Sequence, residues 1–275
     1  MIGRSNVGKS TLLKALVGSK IAITTPKPQT TRLPIQGIVT RDEGQIVFID
    51  TPGVLKGARD SLSKKLGQMV RASLGHVDVV AYVVAPTREI GDEEREVMRL
   101  IEPMTQPKIL VINKTDLDRI PFLDFYRDLG DKFTNVVEVS ALRGTHVGSL
   151  IKTIFELLPE GQPYYPENQL TNVPNKFWLS ELIREKLFLR LRQEVPYTTH
   201  VEVEDVDERE NGMMYIKATI FTTEDRYKRM IIGAKGQGIK EIGQSVRQEL
   251  ELAMDTKVFV DLTVDVDAHW MQRYE

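Results

Sequence analysis

An α/β domain on a mostly parallel sheet, followed by a smaller α+β domain, is the fold class that three features of the 275-residue chain predict. The first is Gly3-Arg4-Ser5-Asn6-Val7-Gly8-Lys9-Ser10, which leads into a helical pattern with Leu12, Leu13, Leu16 and Val17 on one face and Gly18 as its stop. The second is the pair of apolar runs at residues 77–84 and 108–112, alternating with helical segments, as strands buried on both faces do. The third is a break in rhythm. After Pro159, Pro163, Pro166 and Pro174 the order of elements becomes α-β-β-α-α-β.

Composition narrows the class. The chain is 41% hydrophobic and 28% charged, ordinary for a globular protein, and its net charge of -2 leaves any nucleic-acid contact to a local patch. It has no cysteine, which excludes disulfides, thiolate metal sites and cysteine nucleophiles. No apolar run reaches membrane-spanning length and no signal-peptide pattern opens the sequence, so a cytoplasmic location is expected.

Taken in order, residues 21–32 are polar and proline-punctuated and read as a loop. Residues 35–40 and 45–49 read as strands joined by Asp42-Glu43-Gly44, and the second runs into Asp50-Thr51-Pro52-Gly53-Val54. Helices are expected at 62–73, 93–101, 122–133 and 147–158. The strand at 108–112 leads into Asn113-Lys114-Thr115-Asp116, and the one at 136–139 into Ser140-Ala141-Leu142. Each polar motif thus falls at the carboxyl end of a strand, where such sheets bind ligands. Only Met1 and Ile2 precede Gly3, so the first strand of this sheet is expected to be missing from this chain. The domain boundaries expected are 1–158, a linker or extended crossing segment at 159–175, and 176–275.

The chemistry of these motifs is that of a phosphate ester with a base. Gly3 and Gly8 let loop N–H groups face an anion, Lys9 reaches β- and γ-phosphates, Ser10 suits Mg²⁺, and Thr11 opens the helix whose dipole favours phosphate. Asp50 supplies a carboxylate to the metal's water shell, and Thr30 or Thr31 a further hydroxyl. The Gly53 N–H is placed for a γ-phosphate, with Thr51, Pro52 and Val54 around it. Asp116 accepts from N1–H and the 2-amino group of guanine, a donor pair adenine lacks. Asn113, Lys114 and Thr115 frame it, and the Ser140-Ala141-Leu142 backbone meets the guanine O6. The candidate catalytic residues are Lys9, Thr31, Asp50 and Gly53, and the metal ligands Ser10, Thr31 and Asp50.

With these motifs in this order, the first domain resembles the translation-factor-type P-loop GTPases. Val54 stands where Ras-type enzymes carry a water-positioning Gln, so no general base is assigned. Asn6 matches the loop Asn of potassium-dependent GTPases, which implies either a K⁺ ion beside Mg²⁺ and GTP or GDP, or a residue that only shapes the loop. In the second half, Ile232-Gly233-Ala234-Lys235-Gly236 lies between two helical segments and is followed by Ile239 and Lys240, with Arg226, Lys228 and Arg229 nearby. A lone Gly-X-X-Gly is also a helix-capping turn, but the flanking isoleucines and the element order resemble a KH domain. The groove beside it is expected to be lined by Ile232, Ile239 and the strand at 213–221.

A GTPase domain followed by a KH domain is similar to the Era-type GTPases. Gln29-Thr30-Thr31-Arg32, Glu181-Leu182-Ile183-Arg184-Glu185-Lys186 and Glu194-Val195-Pro196-Tyr197 extend the likeness over nearly the whole chain. The resemblance implies slow GTP hydrolysis, GTP-controlled binding of small-subunit ribosomal RNA near its 3′ end, a role in 30S assembly, a monomer, and peripheral membrane association. The alternative is a GTPase acting on a protein or membrane-surface partner, with the second domain used for docking.

Overall fold

The computed structural model describes residues 1–25, 27, 30–53 and 61–270 and divides into two units, 1–172 and 173–275. Val54 and Gln29 lie outside the described residues.

In the first unit, α1 (Lys9–Val17) starts at Gly8 and stops at left-handed Gly18. β1 (Ile35–Arg41) and β2 (Gly44–Asp50) form an antiparallel hairpin closed at Arg41 and Gly44. After α2 (Ser61–Leu74) come β3 (Val80–Val84), α3 (Asp92–Ile101), β4 (Lys108–Ile112), α4 (Leu123–Asp128), β5 (Asn135–Glu138) and α5 (Val147–Phe155). β3, β4 and β5 are parallel neighbours in that order, and β3 is buried along its whole length, as its unbroken apolar run requires. The helix expected at 122–133 gives way to a 3-10 turn at residues 129–132, where Gly130 lies so close to β5 that a Cβ would meet the Val136 side chain at 2.6 Å.

Between the hairpin and the parallel sheet runs Met1–Ile2. Ile2 bridges Tyr82 in parallel, donating to the Ala81 carbonyl and accepting from the Val83 N–H, while the Met1 amino group donates to the Ile49 carbonyl at 2.7 Å. Beyond Met1 the two sheets part around a groove of about 440 Å³, lined by β2, residues 76–79, Ala81, Ile154 and Leu158. Ile2, just ahead of the Gly3 loop, thus pairs with β3 in strand fashion and is fully buried.

Part of the proline-rich stretch between the two domains lies extended along the hairpin. Ile38 donates to the Leu170 carbonyl, Thr171 bridges Gly37 and bonds the Gln36 carbonyl, and the Gln45 side chain holds the backbone of Tyr164 and Tyr165. Its prolines remove donors but leave enough carbonyls and N–H groups to pair with an open strand edge.

The second unit has the order α6 (Asn175–Arg190), β6 (Thr199–Glu208), β7 (Met214–Thr222), α7 (Asp225–Ile232), α8 (Gln237–Met254), β8 (Val258–Val266). β7 lies between antiparallel β6 and parallel β8. Leu182, Ile183 and Leu187 of α6 and Ile242, Val246 and Leu250 of α8 close over Ile216, Ala218 and Ile220 of β7 in one core.

Candidate functional site

The Gly3–Ser10 loop is built from close backbone approaches. Gly8 has φ 94°, a conformation side chains resist, and a Cβ there would meet Asn113 Nδ2 at 2.4 Å. A Cβ on Gly3 would meet the Val83 carbonyl at 2.3 Å, and one on Gly53 the Ser5 hydroxyl at 2.4 Å. These contacts bring the ends of β2, β3 and β4 to a single loop. A small cleft above it is lined by Ser5, Asn6, Gly8, Lys9, Ser10, Thr11, Thr24, Thr25, Thr30, Thr31 and Gly53.

Within the cleft the three expected metal ligands converge. Ser10 Oγ donates to Asp50 Oδ2 at 2.6 Å and lies 2.9 Å from Thr31 Oγ1, which is 3.5 Å from the same carboxylate oxygen. Thr30 instead bonds Thr25 and the Lys27 carbonyl, so Thr31 is the threonine at the carboxylate. Asp50 is fully buried, and its Oδ1 has no hydrogen-bond partner among the described residues. Burial pushes its carboxyl pKa up, against the opposing charge of Lys9. Two hydroxyls and a buried carboxylate with an orphaned oxygen form a hard oxygen set that fits Mg²⁺ with phosphate and water completing its shell. Lys9 donates to the carbonyls of Gly3 and Arg4, both at 3.0 Å, and burial, opposed by Asp50, brings its pKa down to about 8.

The base-recognition residues meet at the ends of β4 and β5. Asn113 donates to the Val7 carbonyl at 2.8 Å and accepts from the Ala141 N–H at 3.0 Å, tying three loops together. Lys114 donates to the Asn6 carbonyl at 2.7 Å. Asp116 accepts from Ser140 Oγ, which also accepts from the Arg143 N–H. Asp116 and Lys114 remain partly exposed, and Leu142 stands out at 79% exposure. The Arg4 side chain, by contrast, turns away from the cleft and is buried against Glu94 of α3, a partner no local pattern announces.

In the second unit, Gly233 ends α7 and Gly236, at φ 76°, precedes α8. Open space surrounds the Gly236 Cα, while Ala234 and Lys235 are exposed. Gly238, two residues on, carries no sequence signal of its own; a Cβ there would meet the Ile231 carbonyl at 2.4 Å, so it sets how closely α8 approaches α7. A groove of about 520 Å³ adjoins the loop, lined on α8 by Ile239, Lys240, Gly243, Gln244 and Arg247 and on β8 by Phe259 through Leu262. This corrects the expected lining. Ile232 packs against the core and β7 is the central strand, so the edge strand β8 forms the far wall. Arg226 and Lys228 are engaged by Glu224 and Asp265, whereas Lys235 and Lys240 are exposed at the loop and groove, with Arg229 exposed on α7 ahead of Gly233 and Arg247 in the groove lining.

Residues 1–114 match the family described as 50S ribosome-binding GTPase, and residues 194–271 match the KH domain. The chain is 41% identical over 275 residues to GTPase Era of Halothermothrix orenii, covering 99% of this chain and 93% of that protein. It is 42% identical to GTPase Era of Carboxydothermus hydrogenoformans, with the same coverage. Among solved structures it is similar to Era in complex with MgGDPNP and nucleotides 1506–1542 of 16S ribosomal RNA (TM-score 0.92, 35% identity, 99% of this chain and 93% of that one). It is also similar to a tyrosine-to-alanine variant of Aquifex aeolicus Era bound to GDP·AlF4⁻ (TM-score 0.92, 36% identity, 99% and 94%).

Proposed function

The chain belongs to the Era family of GTPases, and from this premise we propose that it is a GTP-controlled switch holding the 3′ segment of small-subunit ribosomal RNA during 30S assembly. The observation that carries the reading is the meeting of Ser10, Thr31 and Asp50 beside Lys9, because it joins Thr31 to the metal site. A γ-phosphate arriving between Lys9 and Gly53 would hold Thr31 there, and loss of the phosphate would release it.

The residues divide the work. Gly3 to Thr11 bind the phosphates, with Lys9 exchanging its two carbonyl partners for phosphate oxygens. Ser10, Thr31 and Asp50 would hold Mg²⁺, whose chemistry is to offset charge on the β- and γ-phosphate oxygens. The Gly53 N–H orients the γ-phosphate. Asp116, with Ser140 and Ala141, selects guanine. No side-chain base is assigned to the attacking water, in keeping with slow hydrolysis. Asn6, at the cleft, would hold K⁺ to stabilise the charge of the transition state, and equal rates in sodium and potassium would overturn that role.

RNA is assigned to Gly233, Ala234, Lys235 and Gly236 for the phosphate backbone, and to the α8–β8 groove with Ile239 and Lys240 for bases. Action as a cytoplasmic monomer, and attachment to a membrane surface, belong to the same proposal and are checked by light scattering and vesicle co-sedimentation. Among the described residues no helix is long and apolar enough to cross a membrane. The central test is binding of a 3′-terminal small-subunit RNA fragment with a non-hydrolysable GTP analogue and with GDP. Tighter binding in one nucleotide state supports the switch, and no binding in either overturns it in favour of a protein partner.

A further inference from the structure

Arg4 is one residue of the phosphate loop whose side chain does no work in the cleft. Its Nε bonds a carboxylate oxygen of Glu94, its Nη1 donates to the Ser5 carbonyl at 3.0 Å and its Nη2 to the Ala85 carbonyl at 3.3 Å. The two charged side chains are only 6% and 1% exposed. Glu94 is in turn held at the start of α3, where its other oxygen accepts from the Gly91 N–H at 3.2 Å and lies 3.7 Å from Arg88. The hydroxyls of Tyr82 and Tyr126 are buried there without a hydrogen-bond partner among the described residues, and burial, then the Glu94 charge, pushes the Tyr126 hydroxyl up to about 12.

A buried ion pair is weak evidence of a stabilising role, because desolvation offsets most of the attraction. Its position says more. Ser5, whose carbonyl Arg4 grips, is the residue against which Gly53 rests. We propose that Glu94 is a positioning residue for the phosphate loop. Acting through Arg4, it fixes the Ser5 peptide and hence the gap between that peptide and Gly53, so that the seat of α3 sets phosphate affinity. The inference rests on the reading that this loop binds nucleotide phosphates.

The decisive variant replaces both partners by apolar residues of similar size, Arg4→Met with Glu94→Leu, which leaves no charge stranded. The full chain is compared by thermal melt, GDP titration and GTPase kinetics. A positioning role predicts a Tm close to the parent's with GDP affinity weakened about tenfold or more, KM for GTP raised more than kcat is lowered, and the preference for guanine over xanthine nucleotides unchanged, since that is set at Asp116. Parent-like GDP affinity and KM in a folded double variant would make the pair a purely structural contact and overturn the proposal. Should the double variant not fold, Glu94→Gln decides. It keeps the side-chain volume but removes the negative charge that holds the Arg4 guanidinium, and a loss of GDP affinity without loss of Tm supports positioning, whereas no change in affinity overturns it. Failure of the parent chain to bind GDP would instead overturn the nucleotide reading beneath.

Discussion

Ser140 Oγ donates to Asp116 Oδ1 at 2.6 Å, across the ends of two neighbouring parallel strands. The bond fixes the carboxylate that is to meet the guanine edge. Asp116→Asn should therefore turn preference toward xanthine nucleotides, whose 2-oxo group accepts a hydrogen bond. Ser140→Ala should weaken guanine nucleotides by about 10–100-fold, the worth of a hydrogen bond to a charged group. Competition with GDP, XDP and ADP measures both, and ADP binding as tightly as GDP in the parent would overturn the assignment.

Lys9 gives the nucleotide-free chain an unusual pH dependence. Burial lowers its pKa from 10.5 to about 8, so between those values the unfolded chain holds a proton that the folded chain lacks. Stability from this group therefore rises with pH across that interval, on the order of 1–3 kcal/mol, and is lost as pH falls through 8. Urea unfolding at about pH 7.5 and about pH 9.5 should show the rise in the parent and a flatter response in Lys9→Met. Identical slopes in the two proteins would contradict the shift.

Gly236 faces open space at φ 76°, a conformation that aspartate tolerates better than most side chains. Gly236→Asp should place a carboxylate where an RNA phosphate would pass, and so abolish RNA binding while GDP binding persists. Lys235→Ala should weaken all RNAs alike and lower the salt slope by about one. If Gly236→Asp binds the 3′-terminal RNA fragment like the parent, the loop is only a turn between α7 and α8.

The groove between β2 and β3 should accept an extended segment. About six apolar, β-branched residues added ahead of Met1 would continue the Ile2 pairing and satisfy backbone groups on both flanking strands. At about 1 kcal/mol for each added hydrogen bond, offset in large part by about 1 kcal/mol or more to order each residue, a net rise in Tm of about 5–10 °C is expected. An extended chain melting with the parent would show the groove to be closed to a strand.

Much of this is legible in the sequence, because the phosphate loop, the buried strands and the motifs at their ends are local patterns. The turn at Gly233–Gly236 and the element order of the second unit are legible for the same reason. What escapes depends on topology. Glu94 sits on another element from Arg4, and no spacing links them. The sequence points to β7 rather than β8 as the groove wall because strand order is not written in either strand. The prolines of residues 159–174 announce a break in helix and strand, but not that the segment lies along β1.

Gly3, Gly8 and Gly53 each leave no room for one carbon, and in each case the obstacle belongs to a segment distant in sequence. The limit on change at this site is therefore spatial before it is chemical. Alanine, the mildest replacement elsewhere, would at these positions demand that the β3 backbone at Val83, the Asn113 side chain or Ser5 of the phosphate loop give way. A substitution at any of these three positions therefore needs a compensating change in a distant segment, whereas side chains around the cleft do not carry that constraint. The shape of the site is thus fixed by the three residues that have no side chain to offer a ligand.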